Sequence, residues 1–268
     1  MIRLRTATAL LALALAGCPA VYPELGTRTR PVTAGRILDP PPPAELRWIK
    51  VLSATLPAHA RDGRPWQPNG KASAYARLLV NGVELIKTNV ESDTLTPTWA
   101  GSPHGNYRIA PGDRFRVELW ESDSINDKPV GARDLGMAGD LQVLDGRLHV
   151  EMEEGIASSS TLDIAFEPAH AVTGLGLWYE LRTTGCTVTR LLEQGPADRA
   201  GLKAGDELIR IGDREAKVMT PDEIKSAFNA IPMEGLKIQV RHSAGAVEEL
   251  LLKDGPIYAS FAQFGPID

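Results

Sequence analysis

The residues whose types and spacing could carry chemistry form three groups. Gly174-Leu175-Gly176-Leu177 alternates glycine with leucine and runs directly into Trp178-Tyr179-Glu180-Leu181. A loop of that kind brings backbone N–H groups to one point and captures a carboxylate without using a charged side chain. The alternating strand after it, residues 177–182, offers a free edge to which an extended peptide can add. The second group is acidic: Glu121, Asp123 and Asp127 supply the oxygen ligands a hard cation takes. The third is a pair of cysteines, Cys18 and Cys186.

Catalysis finds little support. The five histidines, His59, His104, His149, His170 and His242, are scattered, with no HExxH or paired metal-ligand spacing. There is no GxSxG elbow, and Ser158-Ser159-Ser160 is a hydroxyl-rich turn with no base beside it. A non-enzymatic protein with no metal site and no cofactor is expected. The net charge of −5 argues against nucleic acid as a partner.

Those groups need elements to position them. At 268 residues the chain exceeds the usual size of one domain. Alternating, β-rich segments at 48–56, 75–80, 85–90, 107–109, 115–120, 142–150 and 161–166 are separated by Gly, Pro, Asn and Asp turns, a pattern that suggests a sandwich. Further on, Pro221 followed by Asp222 and Glu223 opens a helix over 221–229. Ile224 and Phe228, four apart, share one face of it. Residues 236–242 and 247–253 read as a closing hairpin. In strand 177–182, period two puts Leu177 and Tyr179 on one face and Trp178 on the other. Cys186 falls in an alternating strand and reads as a small core residue.

The beginning of the chain reads differently. Arg3 and Arg5 precede an apolar run, residues 7–16, too short to span a bilayer as a stable helix. It ends in Leu15-Ala16-Gly17-Cys18, which resembles the lipobox of bacterial lipoproteins. The resemblance implies cleavage after residue 17 and acylation of Cys18, a palmitate-type anchor with the chains stable attachment requires. Without the leader, 27 Lys/Arg face 34 Asp/Glu, a net −7. Residues 18–44 lack periodicity and close on Asp39 and four prolines, so they read as an extended tether.

Two further resemblances divide the rest. Glu193-Gln-Gly-Pro-Ala-Asp-Arg-Ala-Gly-Leu-Lys-Ala-Gly-Asp-Glu-Leu-Ile-Arg-Ile-Gly212, with the Gly174 loop, resembles bacterial PDZ domains over residues 171–255. Lys87-Thr88, then Asp93-Thr-Leu-Thr-Pro-Thr-Trp99, then residues 115–131 look like a C2 domain over 45–168. The implied fold is mostly β: a C2-like eight-stranded β-sandwich, then a PDZ domain (a partly open β-barrel with two helices), then a tail, 256–268, that packs back or stays loose. In the PDZ family a partner's C-terminal carboxylate sits on the loop N–H groups, here Leu175, Gly176 and Leu177. The peptide lies beside Trp178 and Tyr179, with Ile224 and Phe228 as the far wall or simply as core. Where C2 domains place two calcium-binding aspartates, this chain has Gln67 and Ser73. Residues 45–168 carry 13 Lys/Arg against 18 Asp/Glu, a poor match for phospholipid.

The expectation is a lipid-anchored adaptor of the bacterial cell envelope, periplasm-facing or in the outer membrane. It binds a protein partner's C-terminal or extended peptide. The alternatives are a structural envelope lipoprotein with an occupied groove, or a calcium-regulated peripheral C2 protein.

Overall fold

A computed structural model describes residues 24–32, 35, 37–138, 146–157, 159–182 and 185–261. The expected leader, Cys18 and residues 262–268 lie outside the described residues. The chain divides into two compact units: Thr29–Gly174 with Gly255–Asp268, and Met1–Arg28 with Leu175–Asp254. Among the described residues no helix is long and apolar enough to cross a membrane.

In chain order the first strands are β1 (Leu25–Gly26), β2 (Arg30–Pro31), β3 (Leu46–Thr55), β4 (Ala74–Val80), β5 (Val83–Lys87), β6 (Gly105–Arg108) and β7 (Arg114–Glu121). There follow β8 (Lys128–Met137), β9 (Gly146–Glu151), β10 (Thr161–Pro168), β11 (Val172–Gly174), β12 (Leu177–Arg182) and β13 (Gly185–Leu191). Helix α1 (Pro196–Arg199), β14 (Glu207–Ile211), β15 (Arg214–Glu215), a 3-10 turn (Ala216–Val218), α2 (Pro221–Asn229), β16 (Leu236–Arg241), β17 (Val247–Leu252) and β18 (Gly255–Ile257) follow among the described residues.

The first unit is a sandwich of two four-stranded sheets, ordered β6-β3-β10-β9 and β5-β4-β7-β8. Strand β7 shows why: Phe115, Val117, Leu119 and Glu121 point inward and Arg114, Arg116, Glu118 and Trp120 outward. The apolar members of that inner row meet Ile49, Val51, Leu162, Ile164 and Phe166 of β3 and β10, so period two in the sequence becomes one buried face. Trp99, fully buried, closes the core, and its backbone N–H donates to the Leu52 carbonyl at 2.9 Å. Sequence periodicity marks seven of the eight strands. The eighth, β8, escapes it because Pro129, Gly131 and Gly136 interrupt the pattern. It lies on a sheet edge, where a missing N–H costs little.

The same unit carries a small sheet, β18-β11-β2. Thus Arg30–Pro31, inside the segment expected to be only a spacer, is a strand, and the beginning of the tail is a strand as well. Asn106, buried in β6, ties the residues flanking this sheet to the sandwich. Its Nδ2 donates to the carbonyls of His170 and Ala259, both at 2.8 Å, and its Oδ1 accepts from the His170 N–H at 2.9 Å. Phe261 packs against the sandwich core, over Gly105.

The second unit is an open sheet, β1-β12-β13-β14-β16-β17, with β15 beside β14 and no closed barrel. Helix α2 starts in a capping box. The Thr220 side chain accepts from the Glu223 N–H, and the Glu223 carboxylate accepts from the Thr220 N–H at 2.8 Å. This pins the helix start, and with it the buried Ile224 and Phe228. Each such side chain contributes roughly 1.5–3 kcal/mol.

Candidate peptide-binding groove

Gly176 adopts φ +66°, in the left-handed region that a side chain disfavours. That turn lets Leu175 and Leu177 both bury at 1 % exposure. The Leu175 carbonyl accepts from the Ala197 N–H at the start of α1 (3.0 Å), and the Gly176 carbonyl from the Leu192 N–H (2.9 Å). A peptide plane carries its C=O and the next N–H in opposite directions. With both carbonyls tied into the domain, the N–H groups of Gly176 and Leu177 point away from it. Among the described residues, the N–H groups of Leu175 and Gly176 donate no loop hydrogen bond.

Along β12, Leu177 and Tyr179 are buried and Trp178 is half-buried. Tyr179 meets Phe228 of α2 edge-on, ring centres 5.4 Å apart. Ile224 and Phe228 both belong to the buried core of the unit. The Tyr179 hydroxyl is buried without a partner among the described residues, and burial pushes its pKa up. Burial likewise pushes the Cys186 thiol up to about 12, which leaves it a core residue with little thiolate character.

The edge of β12 is not free. Strand β1 pairs antiparallel with it, Leu25 opposite Tyr179 and Gly26 opposite Trp178. The Thr27 N–H donates to the Leu177 carbonyl at 3.1 Å, and the Arg28 N–H to Asn229 Oδ1, at the end of α2, at 3.0 Å. Leu25 packs on the core of the unit. Glu24 meets Arg190 at 3.6 Å, and the Arg190 guanidinium stands 4.1 Å over the Trp178 ring. A Cβ added to Gly26 would fall 2.8 Å from Trp178 Nε1. Two expectations are therefore corrected: the edge is covered, and the segment after Cys18 is more than a spacer. A two-residue strand offers no period to read, and no signal in the sequence singles out Glu24, Arg190 or Asn229.

The acidic loop of the sandwich has a different geometry. Glu121, 1 % exposed, accepts from Gln67 Nε2 and from the Ser73 N–H, each at 2.9 Å. Burial raises its pKa above the usual carboxylate range. Asp127 accepts from the Tyr75 hydroxyl at 2.8 Å, and Asp123 pairs with Lys128 at 2.7 Å. Each carboxylate already has a donor from the protein. Elsewhere in the unit, Asp163 joins the Ser53 hydroxyl (3.0 Å) to His149 (2.8 Å). The carboxylate stands between the two, the reverse of the order in which an imidazole activates a hydroxyl.

Residues 165–240 match the PDZ domain family. The chain is also similar in structure to a solved C2 domain, at 16% identity and a TM-score of 0.33, over 46% of this chain and 97% of that one. A calcium-bound structure of two C2 domains from extended synaptotagmin 2 is similar over 49% of this chain and 48% of its own, at 16% identity and a TM-score of 0.37. A C2 domain of a plant extended synaptotagmin 1 is similar over 47% and 96%, at 14% identity and a TM-score of 0.35. No curated protein sequence matches the chain. The protein is mostly β and contains a PDZ domain, a class of module that binds proteins or peptides.

Proposed function

We propose that the protein is a non-catalytic adaptor, held at a bacterial envelope membrane by an acylated Cys18, whose PDZ groove receives an extended peptide from a protein partner. One observation carries the binding half of this reading: β12 already accepts an antiparallel strand, Leu25–Gly26, beside α2. Main-chain pairing of that kind supplies affinity, and the side chains facing the groove supply selection. The membrane half rests on the sequence around Cys18.

A peptide-display selection on the full chain tests the first half; no selective enrichment of any sequence argues against a peptide binder. Metabolic labelling with a fatty acid tests the second, with loss of label expected in Cys18→Ser and retention there speaking against the anchor.

The same strand pairing favours a second reading, in which the groove is permanently filled and the protein is structural. Amide exchange at Thr27 and Arg28, whose N–H groups bond Leu177 and Asn229, separates the two: exchange only through global unfolding fits permanent filling.

A further inference from the structure

The segment that fills the groove is also a record of what the groove selects. Four features of the site are met by five consecutive residues, Glu24 to Arg28. Arg190, held over Trp178, faces Glu24 at 3.6 Å. The half-buried Leu25 packs against the core of the unit, opposite Tyr179. The Trp178 indole leaves no room for a Cβ at Gly26. It cannot swing aside without leaving the Arg190 guanidinium stacked on it. The fourth is the bond from Thr27 N–H to the Leu177 carbonyl, followed by that from Arg28 N–H to Asn229. The last donor belongs to a residue beyond the loop, so the occupant runs through the site without ending there.

Resting on the reading of the groove as a peptide site, we infer that its ligands are internal, extended peptides with an acidic residue, an aliphatic residue and a glycine in succession, and that Glu24–Arg28 is a built-in competitor for them. A segment linked to its own site acts at an effective concentration of order millimolar. If the segment's own affinity for the groove is about 10 μM, any free peptide must therefore lose roughly a hundredfold in apparent affinity while the linked copy is seated. Partners succeed by matching the acidic-aliphatic-glycine chemistry and adding contacts of their own.

The test uses a labelled synthetic peptide of residues 21–32 and the full chain in wild-type and Leu25→Asp forms. Leu25→Asp removes the linked competitor and should bind the peptide at least about tenfold tighter than wild type. Peptides carrying Gly26→Val or Glu24→Lys should lose about tenfold on the Leu25→Asp chain. Adding Arg190→Glu to that chain should restore the Glu24→Lys peptide, a rescue that misfolding cannot mimic. Gly26→Val in the full chain provides a second way to unseat the segment. Equal peptide affinity of the wild-type chain and both unseated variants overturns the competition. If the unseated chains bind unrelated peptides but not residues 21–32, the ligand class is wrong and the peptide groove stands. If they bind no peptide at all, the groove reading itself falls.

Discussion

The groove and the acidic loop are both candidate sites that the chain fills from its own residues, but by different means. In the groove the filler is a short stretch of main chain, two residues of β1 with bonds at its ends, Leu25 half-buried and Glu24 and Gly26 exposed. In the loop it is one side chain, Gln67, and one N–H, that of Ser73, around a carboxylate with 1 % exposure. A strand of two residues can be exchanged for another strand at the cost of a few hydrogen bonds. A buried carboxylate cannot give up its donors without leaving a charge unpaired. On the adaptor reading, occupation is therefore exchangeable in the groove, whereas in the loop it is part of the core.

The largest test of that contrast is Gln67→Asp. It removes a donor to Glu121 and puts a second carboxylate in its place, so stability at neutral pH should fall by about 1.5–3 kcal/mol. Chemical melts at pH 7 read the loss, and part of it should return near pH 4. The double variant Gln67→Asp/Ser73→Asp should regain melting temperature on adding calcium, whereas wild type should not shift.

Next, Leu25→Asp should cost roughly 1.5 kcal/mol, from loss of one half-buried side chain together with the strand it seats. Amide exchange should rise across β12 and stay unchanged in β7. Equal rises in both would erase the distinction between the two sites.

Smaller still is the pH dependence tied to Glu121. Its folded pKa is raised by burial, so its contribution to stability is complete below the unfolded carboxylate range and is lost as pH rises through the folded value. Glu121→Gln should flatten that fall in denaturant melts between pH 4 and pH 8.

The smallest effect belongs to His242, whose pKa is raised by Glu248 and by the buried Asp206. Stability from this pairing is full below the unfolded histidine value and fades as pH climbs through the folded one. The deficit of His242→Gln should therefore shrink between pH 6 and pH 9.

Much of this architecture is legible in the sequence where a pattern repeats. The inward row of β7 is a periodic signal, Pro221 with Asp222 and Glu223 a positional one at the start of α2, and the glycine loop combines residue type with spacing. Strand β8 is hidden by Pro129 and two glycines, which an edge tolerates. Strand β1 is hidden for another reason: its partner lies more than 150 residues away, and what selects it is the space under Trp178. Gln67 and Ser73 stand out in the sequence as departures from the C2 pattern, but that they donate to Glu121 emerges only from the folded loop.

Seven residues carry the chain from Cys18 to Leu25, so with β1 in place the intervening backbone reaches at most about 25 Å. If Cys18 sits in lipid, a seated β1 keeps the PDZ surface on a short leash. Once a partner displaces it, the leash runs on to Arg30, twelve residues from Cys18, and its limit grows to about 40 Å. On the proposed anchoring, the same exchange of strands that admits a ligand would also lengthen the stretch free to extend from the bilayer.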